Sequence, residues 1–314
     1  MDLLWGPLHD RLAVHGISNQ LTFAVGMVVS YFIFYLLHCY FFFYCDKSGL
    51  LDKYAIRDAK HKLPSDRLYM KSIQEGCFDC LVIKPIFCYY AFSIFEPYIS
   101  FSLDLPPAHV MIGTVLLMQA SYSTTFFLMH MLFHKVPILY KYAHKQHHEF
   151  HESVGFGSMY FHPTEGALSM IHVIIPAVVF KPHFVVWILY IIVTLVEIVD
   201  AHCGYDVPWK VLYLWSDIYP WGSGARGHDY HHSHNKGMYG VRVFVENGHT
   251  IDSMFDVCYL KCLSLDNVCY LCRAACLVSG IACCSATVTL RPMNTSMGEL
   301  HKMGVYSVGA STAL

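Results

Sequence analysis

Long uncharged stretches alternate with short polar ones along most of the chain. Residues 21–44 contain 24 positions without Asp, Glu, Lys or Arg, and residues 108–129 contain 22. A helix rises 1.5 Å per residue, so each stretch can cross a hydrocarbon core of about 30 Å. Residues 77–103 are a weaker apolar stretch, which Lys84-Pro85 and Glu96-Pro97 interrupt. We expect a membrane helix there as well, either spanning or partly re-entrant.

Two shorter apolar runs, residues 167–180 and 184–199, flank the polar tripeptide Lys181-Pro182-His183. Proline cannot continue a helix, so this pattern predicts a helical hairpin that crosses the membrane and returns. The chain is therefore expected to be an all-α polytopic bundle of about four spans, two of them as a short hairpin.

The distribution of basic residues predicts the orientation of the bundle. Residues 46–76 carry seven Lys or Arg, which marks a cytosolic loop by the positive-inside rule. Counting spans from this loop places residues 130–165 and 200–265 on the cytosolic side, as a histidine-rich cap. The expected organisation is an N-terminal tail (1–20), an N-terminal membrane region (21–107), a catalytic domain (108–257) and a Cys-rich apolar segment with a polar tail (258–314).

Composition agrees with a membrane protein. Of 314 residues 55% are hydrophobic and only 14% are charged, whereas soluble domains average about 25% charged residues. The net charge of −2 gives no reason to expect a nucleic-acid partner. The 13 cysteines follow no even disulfide framework, so we expect reduced thiols.

Three clusters of histidine stand at metal-ligand spacing in a chain with 21 histidines. They are His130-x3-His134, His144-x2-His147-His148 and His228-x2-His231-His232, and His202 is a ninth candidate. Positions i, i+3 and i+4 share one face of a helix. The spacing therefore predicts that His144, His147 and His148 point into one small volume.

Nine imidazoles are too many for one ion and suit two ions that share a site. Neutral imidazole binds iron, zinc and copper. A pair of irons, unlike zinc, can activate O2 for attack on an unactivated C–H bond. A non-catalytic membrane protein that binds zinc is the alternative from a different class.

The ordered motifs resemble those of the fatty acid hydroxylase superfamily of membrane di-iron enzymes, and within it the sterol C4-methyl oxidases. Besides the three clusters, the resemblance rests on Tyr160-Phe-His162-Pro-x-Glu165 and Glu197-x4-His202-Cys-Gly204-Tyr205-Asp206-Val-Pro208-Trp209. The chain departs from the family pattern at Ser123, where the family has Asp, and at Met131, where it commonly has Arg.

The resemblance implies two iron ions in a centre that faces the cytosol from the endoplasmic reticulum membrane. It implies O2 as oxidant, with electrons from NAD(P)H delivered by cytochrome b5 or a similar carrier. The implied substrate is a sterol-like membrane lipid, whose 4-methyl group is oxidised stepwise toward a carboxylate. A sphingoid-base or fatty-acyl hydroxylase and a sterol desaturase are the alternatives within the superfamily.

We expect the metal ligands to be His130, His134, His144, His147, His148, His202, His228, His231 and His232. His162, Glu197 and Asp206 are candidates for groups that hold the ligands in place, with ordinary helix capping or solvation as the alternative for each. Tyr205 and Trp209 are candidates for the mouth of the site, although aromatic residues at a membrane interface need no functional reason.

Overall fold

The computed structural model describes residues 2–56, 63–207, 224–235 and 239, together with the backbone of 245–246 and 249–250. The chain divides into two compact units, Met1–Arg242 and Val243–Leu314. In the second unit the described residues form an antiparallel pair of strands, β1 (Val245–Glu246) and β2 (His249–Thr250). The predicted Cys-rich segment, residues 258–314, lies outside the described residues.

The first unit is helical, and five of its described helices are long and apolar enough to cross a membrane. These are α2 (Asn19–Ser48), α3 (Asp66–Phe95), α4 (Ala108–Lys135), α5 (Pro163–Phe180) and α6 (Phe184–His202). The remaining helical segments are α1 (Asp2–Val14), α7 (Gly224–His234) and the short turns Asp52–Tyr54, Pro137–Leu139, Tyr140–His144, His147–Glu149 and Gly155–Met159. The prediction of an all-α, multi-pass membrane bundle is confirmed.

Helix α3 differs from the expected weak stretch at 77–103, because it runs without a break through Lys84-Pro85. A π-helical segment, Asp79–Ile83, ends two residues before the proline. Proline lacks an N–H, and its ring crowds the carbonyl four residues earlier, so a wider turn at this point accommodates it. The helix also begins earlier than the apolar pattern suggests, because the hydroxyl of Ser65 accepts from the backbone N–H of Leu68 and caps it.

The predicted hairpin is confirmed in α5 and α6. Lys181 ends α5 in a left-handed conformation with a φ of 43°, which reverses the chain. The ring of His183 then caps α6 by accepting from the backbone N–H of Val185 at 3.1 Å. Ser100 pairs with this turn through two backbone hydrogen bonds, to Pro182 at 3.0 Å and from Phe184 at 2.8 Å.

Helix α6 is the centre of the bundle, and the outer helices face lipid. Trp187, Tyr190 and Leu195 on α6 are almost completely buried. In contrast, Tyr90 on α3 and Ile112 on α4 are exposed by 71% and 62%. Hydrocarbon is the solvent that such apolar outer faces require. In the described part of the chain, Cys39, Cys45, Cys77, Cys80 and Cys88 are free thiols.

Candidate metal centre

The nine histidines singled out by spacing come together in two adjoining groups. The five-histidine cluster consists of His130, His134, His144, His148 and His231. The four-histidine cluster consists of His147, His202, His228 and His232. Within each cluster, one ring nitrogen from every member lies within 4.8 Å of the others.

Four segments of the chain deliver these side chains. His130 and His134 lie in the last two turns of α4, and His202 is the last residue of α6. Because both helices bring their carboxyl ends to the same place, they run in the same direction across the membrane. The segment 140–149 and helix α7 supply the other six histidines.

The structure corrects one expectation about the first His-x-x-His-His motif. Its three imidazoles do not converge on one volume, because His144 and His148 join the five-histidine cluster and His147 joins the other. The motif is not regular α-helix: a π-helical turn ends at His144 and a 3-10 turn begins at His147. Helices of different width rotate successive residues by different angles, so the rule for one α-helical face does not apply here.

Nε2 atoms face one another inside both clusters. In the five-histidine cluster the Nε2–Nε2 distances are 3.1 Å for His130–His144, 3.0 Å for His134–His144, 3.0 Å for His144–His148, 3.1 Å for His134–His148 and 3.2 Å for His148–His231. In the four-histidine cluster they are 2.8 Å for His202–His228, 3.2 Å for His228–His232 and 3.4 Å for His147–His202.

The opposite ring nitrogen, Nδ1, is held by an acceptor in four of these histidines. His130 donates to the carbonyl oxygen of Tyr239 at 2.8 Å, His202 to that of Ile198 at 2.8 Å, and His232 to that of Phe150 at 2.9 Å. His144 Nδ1 lies 2.8 Å from a carboxylate oxygen of Glu165. A carbonyl can only accept, so the proton sits on Nδ1 and Nε2 carries a lone pair.

Lone pairs that face one another repel unless a cation lies between them. The facing Nε2 atoms of His130 and His144 therefore fit a bound ion, and a shared proton does not account for them. Two nitrogens bound at about 2.1 Å and about 90° apart are separated by about 3.0 Å, close to the distances above. The donor set is all imidazole, which suits iron, zinc or copper. The residues present thus fit metal ions in both clusters.

Comparison with known proteins agrees with this geometry. The model of the fatty acid hydroxylase family matches residues 115–255. Residues 115–255 are a fatty acid hydroxylase domain. This range includes all nine histidines of the two clusters.

Several curated proteins are similar to the chain beyond this domain. It is 31% identical to methylsterol monooxygenase 1 of Gallus gallus over 188 residues, which cover 57% of this chain and 62% of the relative. It is 28% identical to the protein of the same name from Danio rerio over 239 residues, covering 72% and 77%. It is 29% identical to the C-4 methylsterol oxidase of Candida albicans over 243 residues, covering 72% of each. The chain thus spans just over three fifths of the chicken relative. No solved structure matches the chain.

Burial keeps His147, His148, His228 and His232 of the fatty acid hydroxylase domain neutral. Eight of the nine histidines are buried and His134 is half-buried. Burial lowers the pKa of His147 and His148 well below the usual value, and the nearby His232 lowers both further. It lowers the pKa of His228 and His232 likewise, with His202 as the second cause. Neutral rings at physiological pH are the form that binds metal.

Three residues are candidates for holding the ligands in place, and for His162 the structure shows the capping alternative. His162 caps α5, since its Nδ1 accepts from the backbone N–H of Thr164 at 3.2 Å, and its ring is exposed. Glu197 is buried in α6 without a hydrogen bond to any of the nine histidines in the described structure. Asp206 pairs with Arg226 on α7 at 2.7 Å and so anchors the helix that carries the third motif.

Glu165 contacts a cluster histidine, although the spacing of the histidines gives no reason to expect a role for it. It is buried, and one carboxylate oxygen holds His144. The sequence signal was the motif His162-Pro-x-Glu165, in which Pro163 begins α5 and thereby turns Glu165 toward the clusters. The backbone carbonyls of Tyr239 and Phe150 carry no sequence signal at all.

By sequence, the aromatic residues Tyr205 and Trp209 are candidates for the mouth of the site. Tyr205 is instead fully buried, and its hydroxyl donates to Asp46 at 2.7 Å. The other oxygen of Asp46 accepts from the hydroxyl of Tyr69 at 2.6 Å. Asp46 therefore joins the segment after His202 to α3, a structural role. Trp209 lies outside the described residues.

Proposed function

We propose that the chain is a membrane lipid oxidoreductase, in which the nine histidines hold two iron ions and O2 oxidises a C–H bond of the lipid. The observation that carries the proposal is the convergence of facing Nε2 lone pairs in two adjoining clusters at one end of the membrane-spanning bundle. The favoured substrate is the 4-methyl group of a sterol, since relatives named for methylsterol oxidation are similar over most of this chain.

Each cluster would hold one ion, and the ions would lie close together. His147 and His148 are adjacent in sequence and belong to different clusters, with ring centroids 5.6 Å apart. His148 and His232, also from different clusters, stack at 4.8 Å. A bound iron pair supplies the reduction of O2 and the oxidising power that an unactivated C–H bond requires.

The protein contributes ligands, orientation and exclusion of water. Burial keeps His147, His148, His228 and His232 neutral and ready to bind. Glu165 and the backbone carbonyls fix which nitrogen faces the ion. No protein nucleophile is needed. The clusters lie at the ends of α4 and α6, so an apolar substrate reaches them sideways from the bilayer.

Two further parts of the proposal follow from the basic loop and from the reaction. The seven Lys or Arg at 46–76 favour a cytosolic position for the clusters, in the endoplasmic reticulum where membrane sterols are made. Insertion of one oxygen atom from O2 consumes two electrons, which would come from NAD(P)H through cytochrome b5 or a similar carrier.

The test uses the full-length protein, purified in a native-like bilayer. We expect about two irons per protein molecule and iron-dependent conversion of a 4-methylsterol in the presence of NADH and an electron carrier. Tightly bound zinc without iron-dependent O2 consumption would instead support the non-catalytic alternative. Turnover of a sphingoid base or fatty acyl group, with the sterol untouched, would contradict the proposed substrate.

A further inference from the structure

A layer of buried polar side chains lies beneath the two clusters, where α4, α5 and α6 pack together. Gln119 belongs to α4, His172 to α5, and Thr194 and Glu197 to α6. All four are buried, in helices that are otherwise apolar. None belongs to the nine histidines.

Two nitrogen atoms in this layer have no partner. The Oε1 atom of Gln119 accepts from the Thr194 hydroxyl at 3.3 Å, but its Nε2 is buried without a hydrogen bond in the described structure. The Nδ1 atom of His172 is buried and unbonded in the same way. A polar atom without a partner is costly in hydrocarbon, where water does not compensate it. The two unpaired nitrogens therefore indicate that a polar group binds in this layer.

His172 is the closer of the two to the clusters. The ring of Phe126 lies 5.2 Å from the ring of His130 and 5.7 Å from that of His172, so one aromatic ring separates them. From the other side, His172 follows Glu165 by seven residues along α5. Glu165 itself holds His144.

Helices α4 and α5 are also less buried than the central helix. In the most apolar part of each helix only 22% of residues are buried, against 56% for the central α6. Phe126 is half-buried. A lipid that approaches from the side of α4 and α5 would meet Phe126 and His172 before it reaches His130.

We infer that His172 is a substrate-recognition residue, whose Nδ1 forms a hydrogen bond with a hydroxyl group of the lipid. This inference rests on the proposed function and deepens it. Because a single ring separates His172 from His130, the hydroxyl must lie close to the carbon that is oxidised. The 3-hydroxyl of a sterol stands on the carbon next to C4, whereas the head group of a long acyl lipid is far from a C–H bond in the middle of its tail.

The ring of His172 can be replaced without loss of its known structural contact. The hydroxyl of Tyr190 donates to the backbone carbonyl of His172 at 3.1 Å, and this bond does not involve the imidazole. His172→Phe keeps a planar ring and removes both nitrogens. His172→Asn keeps a polar nitrogen near the position of Nδ1 and serves as the conservative variant.

The test compares a 4-methylsterol with its 3-deoxy analogue, using the full-length protein in nanodiscs. Competition binding and kcat/KM are measured for the wild type and both variants. We expect the wild type to prefer the hydroxylated sterol by about 10-fold or more, the cost of an unpaired buried group. His172→Phe should lose this preference and leave binding of the 3-deoxy sterol unchanged, and His172→Asn should recover part of it.

The outcomes separate this inference from the proposed function. If the wild type oxidises the sterol but His172→Phe keeps the full hydroxyl preference, or weakens both sterols equally, the role of His172 is wrong and the function stands. A wild type without any hydroxyl preference would show that only water pairs with Nδ1, which also overturns the inference. A wild type that neither binds nor oxidises the sterol overturns both.

Discussion

Each of the two His-x-x-His-His motifs supplies histidines to both clusters, two to one cluster and one to the other. The outer pair of the first His-x-x-His-His motif, His144 and His148, joins the five-histidine cluster, and the middle residue joins the other. In the second motif the outer pair, His228 and His232, joins the four-histidine cluster, and His231 crosses over. Neither motif makes a site alone. Because the motifs exchange one residue each, they hold the two clusters side by side.

The clusters also differ in how their rings are supported. In the five-histidine cluster a carboxylate, Glu165, holds His144, and a carbonyl holds His130. In the four-histidine cluster backbone carbonyls hold His202 and His232. A six-coordinate ion with four protein nitrogens keeps more positions open than one with five. Metal affinity of the four-histidine cluster should therefore depend more on each single histidine. Metal affinity of the five-histidine cluster should depend more on the Glu165 carboxylate.

The largest expected effect is that of His147→Ala, which leaves three nitrogens in the four-histidine cluster. We expect iron to fall from about two to about one per protein molecule and oxidation to fall at least about 100-fold, while membrane insertion is unchanged. Metal analysis, turnover and protease protection measure the three quantities. His162→Ala, which removes an exposed capping imidazole, is the control. Retained activity in His147→Ala would refute the assignment of this cluster.

A paired comparison of His134→Ala and His228→Ala tests the difference in ligand number. His134 is half-buried in the larger cluster, and its removal leaves four nitrogens there. We expect His228→Ala to lose iron at a chelator concentration that His134→Ala withstands. If the two variants lose iron at the same chelator concentration, the number of histidines in a cluster does not set how tightly it holds metal.

Glu165→Gln tests the support of the five-histidine cluster. The amide keeps the shape of the carboxylate and removes its charge, so His144 becomes a weaker ligand. We expect a loss of about 10- to 100-fold in metal affinity or turnover, as for other residues that orient metal ligands. His162→Gln, three residues earlier and in contact with no cluster histidine, should change neither quantity. An unaffected Glu165→Gln would show that its contact with His144 is only structural.

Acid should destabilise the metal-free protein. Burial lowers the pKa of His147, His148, His228 and His232 in the folded state, so the unfolded chain binds more protons below its own pKa of about 6.5. As the pH is lowered, the free energy of unfolding therefore decreases by up to about 1.4 kcal/mol per histidine per pH unit. Above about pH 7.5 these histidines no longer make the free energy of unfolding depend on pH. Thermal unfolding of the stripped protein at a series of pH values from mildly acidic to mildly alkaline measures this, and a flat profile would contradict it.

The smallest expected effect is that of Asp206→Asn, which breaks the ion pair with Arg226 at the start of α7. Both side chains are partly exposed, at 25% and 32%. Partly exposed pairs contribute about 1 kcal/mol or less, so thermal stability should change little. If α7 needs this anchor, iron should be lost from the four-histidine cluster first, because His228 and His232 are on that helix.

Hydropathy and spacing in the sequence predict the membrane bundle and the nine clustered histidines. Both signals are local, because the length of an apolar run and the spacing i, i+4 in His130 and His134 need no knowledge of distant residues. The sequence also indicates the hairpin at Lys181-Pro182, since two apolar runs flank this short polar break. It gives a false break at Lys84-Pro85, because a π turn is not visible in a hydropathy pattern.

Only the tertiary structure decides how the histidines are shared between two clusters and what holds them. The division of His144 and His148 from His147 depends on a change of helix type and on the position of α7, neither of which a spacing rule contains. The supporting carbonyl of Tyr239 is a backbone atom, present in every residue and therefore without a signal in the sequence. The sequence by itself thus determined which histidines cluster and which segments can span a membrane, while packing between segments far apart in the chain decided which nitrogens face one another.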